Sequence, residues 1–211
     1  VKLYYSGDNG QTWTAVVTGD GLDATAGTTG FEWPVPLNAA SVTAKIKVED
    51  NPAWTPNATD GVSDPYKVTP KITVSMPNGG QKWAANTAHI IRWNTQGTIS
   101  NMKLEYSKDN SNWTTIAAST SNDGNESWTP SNADAGSTLW IRVSNALDAS
   151  TKGESAASFK LTAVSVTEPS DAGLRYLAGS SQKVKWSSTA VDTVKMEYSK
   201  IGDFSDTVLI S

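Results

Sequence analysis

The chain holds 211 residues with a formal charge of −4, nine tryptophans and no cysteine. That length fits one large domain or about two to three small ones; the interspersed charges favour neither nucleic acid nor an anionic membrane surface as a partner, and the lack of cysteine excludes a disulfide framework and a thiolate metal site. No apolar run approaches the roughly 20 residues of a membrane span and no signal peptide is present. The cysteine-free, Ser/Thr/Asn/Gly-rich composition favours an exported protein, and the start on Val1, in what reads as mid-strand, makes the sequence an expected mature or excerpted piece of something longer.

The first element is "YYSGDNGQTW", Tyr4 to Trp13, with Ser6, Asp8, Gly10 and Trp13 in a Ser-x-Asp-x-Gly-x-x-Trp pattern. It predicts a hairpin in which Asp8 caps backbone N–H groups and Asn-Gly supplies positive φ. The spacing also resembles the Asp-box of sialidases and other glycan-processing proteins, where the motif lies away from the catalytic site. The turn reading is therefore favoured over the catalytic one.

The segment recurs. "KLYYSGDNGQTWTAV" (2–16) returns as "KLEYSKDNSNWTTIA" (103–117), with Asp109 at the turn-capping position, and again as "KMEYSKIGDFSDTVLI" (195–210). Other landmarks keep the same order: "FEWPVP" with "ESWTPS", "AKIKVED" with "LWIRVSN", "DPYKV" with "AASFKL", and 72–94 with 165–187. A self-similar period of about 93 to 101 residues indicates one repeated module. Each landmark alternates apolar and polar residues between turn formers, the pattern of half-buried strands. The middle copy predicts strands at 72–76, 88–94, 102–107, 113–118, 126–129, 138–144 and 156–162. Seven short strands in one module argue for an all-β chain of tandem immunoglobulin-like β-sandwich modules.

The stretch Pro77 to Trp83, the Ile91-x-Trp93 strand and the Asn122-Asp123-Gly124 turn before Ser127 and Trp128 resemble the Ser/Thr-rich immunoglobulin-like domain named after fungal cell-wall β-1,6-glucan assembly proteins, which also recurs in bacterial surface proteins. The resemblance covers the middle module and parts of its neighbours. It implies a noncatalytic extracellular module, with no active-site residues to carry over. In the third module Tyr176 replaces Trp83.

The expected modules are 1–70, lacking the first two strands, 71–163, complete, and 164–211, the N-terminal half of a third. The first and last modules are thus incomplete. A longer parent chain is favoured as what completes them, with completion by neighbouring copies as the alternative. "KVTPKI" (67–72) and "LTAVSV" (161–166) are expected as short linkers.

The chemistry offered by individual residues is sparse. Sialidase-like catalysis needs clustered arginines, and Arg92, Arg142 and Arg175 fall on separate segments. His89, the single histidine, is expected at a surface strand position. No cofactor is expected; calcium is the most plausible ion, with oxygen ligands at Asp20 and Asp23, at Asn122, Asp123 and Asn125, and at Asp60 with Asp64, though none has EF-hand spacing and turn chemistry accounts for the same residues. Asn57, Asn112 and Asn125 open Asn-x-Ser/Thr glycosylation sequons. Among the tryptophans, Trp93 with Trp186 and Trp33 with Trp128 read as repeated core positions. Trp140 and Arg142 read as outward-facing and Trp54 as a loop residue; these three are the expected contact surface, weighed as an intermodule or lattice contact over a sugar platform. The expected function is a structural, non-enzymatic segment of a large cell-surface or cell-wall protein, such as a surface layer, stalk or adhesin shaft. Its partners would be neighbouring copies or continuing modules and, as a further option, cell-surface glycans. The alternative is a carbohydrate- or protein-binding module of a secreted enzyme or adhesin.

Overall fold

The computed structural model describes residues 1–16, 21–22, 30–36, 39–50, 60–171 and 173–210. Among these residues the chain is all-β, with one 3-10 turn at Asn132–Asp134 and no α-helix. Alternating apolar residues bounded by Gly, Asn and Pro dictate this, because a period of two buries one face of a strand and leaves the other wet.

The first repeat forms β1 (Lys2–Ser6), β2 (Thr14–Ala15), β3 (Ser41–Glu49), β4 (Asp60–Val62) and β5 (Tyr66–Val68). They make one sheet in the order β2-β1-β3-β4, with β5 also on β3. The middle repeat forms β6 (Lys71–Met76), β7 (Lys82–Ala84), β8 (His89–Gln96), β9 (Asn101–Ser107), β10 (Trp113–Ser121), β11 (Asn125–Trp128), β12 (Thr138–Asn145), β13 (Asp148–Glu154) and β14 (Phe159–Glu168). Beyond them lie β15 (Lys185–Thr189), β16 (Glu197–Tyr198) and β17 (Val208–Leu209).

Two sheets close on each other in the middle repeat. One runs β11-β8-β6; the other runs β10-β9-β12-β14-β15, with β13 on β12 and β7 parallel to β14. Ile72, Val74, Ile91 and Trp93 from the first meet Leu104, Leu139, Ile141, Val143 and Phe159 from the second in one buried cluster. This is a β-sandwich-like arrangement, with the core between the inner faces. Trp93 carries its indole N–H into that core and donates it to Asn122 Oδ1 at 2.9 Å. The same oxygen accepts from Thr95 Oγ1, and the Asn122 amide nitrogen donates to the Ile99 carbonyl. A buried polar handle is thus fully paired.

The observed strands differ from the sequence expectation in three ways. β7 and β13 were not foreseen: β7 has only three residues and pairs parallel, and "DASTKGE" in β13 has no apolar alternation to mark it. The segment 161–166 is not a linker. β14 runs unbroken from Phe159 to Glu168, pairing β12 through its first residues and β15 through Ala163 to Glu168. The third correction concerns Trp186, expected in a core and found 42% exposed.

The repeats match in register. Val74 opposes Trp93 and Met76 opposes Arg92 across a bulge, while Val166 opposes Trp186 and Glu168 opposes Lys185 across another. Likewise Tyr5 opposes Ile46 as Tyr106 opposes Ile141. The environments diverge: Val74 and Trp93 are each 2% exposed, whereas Val166 is 59% exposed. Among the described residues no second sheet covers the face that carries Val166 and Trp186, which is the physical reason for the Trp186 correction.

Trp93→Ala should therefore cost about 3–5 kcal/mol of unfolding free energy, and Trp186→Ala under about 1 kcal/mol. Denaturant unfolding of the two variants measures the contrast, and equal costs would contradict the burial difference.

Candidate functional site

The outer face of β10-β9-β12-β13 collects the residues best suited to contact. On β12 the alternation buries Leu139, Ile141 and Val143 and turns Trp140 and Arg142, both half-buried, to the other side. Register then places Trp113, Ser107 and Trp140 in one cross-strand row, and Thr115, Glu105, Arg142 and Glu154 in the next. Arg142 Nε donates to Glu105 Oε2 at 3.0 Å, and its Nη2 lies 2.9 Å from the same oxygen. Its guanidinium carbon sits 4.1 Å from the Trp113 ring centre, a cation–π contact. Lys103 Nζ pairs with Glu105 Oε1 at 2.7 Å, and Lys152 pairs with Glu154 at 2.9 Å. The result is a ladder of alternating charge across three strands, β9, β12 and β13, flanked by the Trp113 ring on β10. Burial alone would push the Glu105 carboxyl up; hydrogen bonds from Lys103 and Arg142 outweigh it and hold the group below its ordinary range. A carboxylate kept ionised in this way is poorly suited to donate a proton.

The first repeat builds a related face from different residues. Lys47 Nζ lies 4.6 Å from the Tyr4 ring centre and 5.4 Å from that of Trp13, and pairs with Glu49 at 2.6 Å. In the third, Lys195 pairs with Glu197 at 2.5 Å. Glu105 and Trp113 were not singled out together from the sequence. Their signal is the hairpin itself, which brings strand residues on either side of the Asp109 turn into adjacent cross-strand rows.

The turns have a shared chemistry. Asp8 Oδ1 accepts from Ser6 Oγ and the Thr12 N–H, both at 2.8 Å, and Oδ2 accepts from Thr12 Oγ1 at 2.6 Å. The Gly10 N–H donates to Ser6 Oγ at 2.8 Å. Asp109 accepts from Ser107 Oγ, the Ser111 and Asn112 N–H groups and the Asn112 side chain. In the third repeat Asp206 accepts from Ser199 Oγ at 2.5 Å. Hydrogen bonds from the Thr12 hydroxyl and N–H, with that of Ser6, lower the Asp8 carboxyl to about 2.

The remaining expected residues fall apart from one another. Trp54, Asn57, Asp20 and Asp23 lie outside the described residues. Asn122 is taken up by the core contacts around Trp93, and Asp123 accepts the Asn125 N–H at 3.1 Å. Asn125 is exposed on β11, and Asn112 is bound to Asp109. Asp60 lies on β4 and Asp64 in the exposed turn that follows. Among the described residues no three His, Asp or Glu side chains gather as a metal-ligand group. Arg92 is on β8, in the sheet opposite Arg142, and Arg175 precedes β15. His89 is half-buried: its ring stacks on Trp83 at 4.5 Å, and Nε2 lies 2.9 Å from the Ala84 carbonyl oxygen. Stacking on a core ring is why it differs from a simple surface position.

No family model matches the chain, and neither a curated protein nor a solved structure matches it.

Two outcomes follow from this geometry. Arg142→Ala leaves Glu105 buried with Lys103 alone and uncovers Trp113, so it should destabilise by about 1–3 kcal/mol and shift Trp fluorescence; no change would show the ladder to be ornamental. The lowered Asp8 carboxyl contributes stability that is complete above the ordinary carboxyl range near 3.9 and is lost as pH falls through about 2. Carboxyl NMR should find Asp8 titrating near 2, and Asp8→Ala should remove the effect; titration at the ordinary value would contradict the turn network.

Proposed function

We propose that this chain is a structural, non-enzymatic segment of a large extracellular protein of the cell surface or cell wall, such as a surface layer, stalk or adhesin shaft. On this reading it is a row of immunoglobulin-like modules, with residues 71–163 the complete one and 1–70 and 164–211 its neighbours. The observation that carries the reading is β14, one strand that closes the middle repeat and opens the next. A shared strand leaves no flexible residues at the joint, so bending there would break ladder hydrogen bonds.

Other contacts at the joints support it. Lys67 of the first repeat pairs with Asp148 of the middle one at 2.7 Å, and Lys82 of the middle repeat pairs with Asp192 of the third. Exposed pairs of this kind are individually weak. Their weight here comes from acting beside packed backbone. Gly97, with φ +89°, presses on Pro70 and Ala40, and Gly136, with φ +85°, presses on Thr189; a Cβ at either site would meet the neighbouring repeat.

A carbohydrate- or protein-binding module is the second reading, favoured by half-exposed Trp140 on the outer face. Against a sugar platform, Arg142 already lies over the neighbouring Trp113 ring.

Immuno-electron microscopy of the source cells, with antibody raised against this chain, tests the proposal. Label following a lattice or filaments outside the cell is the expected result. Label confined to the cell interior would overturn it.

A further inference from the structure

Two of the three Asn-x-Ser/Thr sequences fall on described residues, and the fold treats them differently. Asn112 is exposed, yet its side-chain nitrogen donates to Asp109 Oδ2 at 2.7 Å and its N–H donates to Asp109 Oδ1 at 2.7 Å. The nitrogen that would have to react is thus part of the hairpin turn. Asn125 opens β11. Its N–H is held by Asp123 and its backbone by the ladder with β8, but no described residue hydrogen-bonds its side chain.

Strand geometry completes the acceptor pattern. A period of two puts Asn125 and Ser127 on one face of β11, both exposed, while Glu126 between them is half-buried and Trp128 packs against the core. That face is the outer side of the β11-β8-β6 sheet. Register sets Ser127 against Ile90 and Asn125 against Arg92, with Met76 opposite Arg92 on the far strand. Ile90 is 38% and Met76 40% exposed, so apolar surface lies open beside the free amide. Arg92, Asn94 and Gln96 along β8 are exposed as well. β11 is also an end strand of its sheet, so the acceptor is approached without crossing a neighbouring strand.

We propose that Asn125 is an N-glycosylation acceptor in this protein and that Asn112 is not. The donor is an oligosaccharide carried on a lipid diphosphate, delivered by a transferase of the cell. The Asn125 amide nitrogen bonds to the anomeric carbon of the sugar, and the bond from that carbon to the diphosphate oxygen breaks. The amide gives up one proton to a base of the transferase, and the lipid diphosphate leaves. The attached sugar stands at the sheet edge, where it shields Ile90 from water and obstructs strand addition by another chain. This inference rests on the extracellular reading above, because the Asn-x-Ser/Thr acceptor is used on secreted proteins, and it names a modification that the reading itself does not require.

Glycopeptide mass spectrometry of the protein isolated from its source cells tests it. The expected spectrum places a glycan on the peptide that contains Asn125 and leaves Asn112 bare. Ser127→Ala should abolish that glycan, Ser127→Thr should retain it, and Asn112→Gln should leave it unchanged; both positions are exposed, so none of these changes removes a core side chain. A bare Asn125, a glycan on Asn112 as often as on Asn125, or a glycan at Asn125 that survives Ser127→Ala would overturn the proposal. Location separates it from the reading it rests on: a bare Asn125 on protein labelled outside the cell overturns the modification alone, whereas a bare Asn125 on protein labelled inside the cell overturns both.

Discussion

The structure depends on the burial of Trp93 between two sheets. Its ring lies in the buried cluster shared by both sheets, while its N–H is taken by Asn122, which also accepts from Thr95 and donates to the Ile99 carbonyl. One side chain thereby contributes a large apolar area and fixes the loop leading to β11. Once β8 is anchored in this way, β6 and β11 are set by their pairing with it, and the two inner faces can close.

The opposite face of the second sheet follows from the same strands. Fixing Leu139, Ile141 and Val143 inward forces Trp140 and Arg142 outward, and the register then delivers Arg142 to Glu105 and Trp113. The outer face is therefore an ordered surface of rings and matched charges. Its charges are largely satisfied internally. The joints obey a related logic: a strand common to two repeats converts packing within each into alignment between them.

Much of this was legible in the sequence, and the exceptions have physical causes. β6, β8, β9 and β12 carry apolar alternation strong enough to be read directly, and the repeated Ser-x-Asp turns mark where hairpins reverse. β13 carries no apolar alternation and owes its strand conformation to β12; β7 is too short for any period and owes its own to β14. The unbroken course of β14 through 161–166 was hidden because a strand serving two sheets has no turn residues to announce it. Trp93 and Trp186 share a sequence environment yet differ in burial, since burial depends on what packs from elsewhere in the chain. The face built on Glu105 was missed for a similar reason: alternation predicts which side a residue occupies, and only register reveals its neighbours across the sheet.

The central claim is that β14 fuses two repeats into one rigid unit. Residual dipolar couplings, measured on backbone amides of residues 71–162 and 163–189 in one aligned sample, test it most directly. The account predicts that a single alignment tensor fits both sets. Two tensors of different magnitude would mean that the repeats reorient independently, and the account of a stiff shaft would fail.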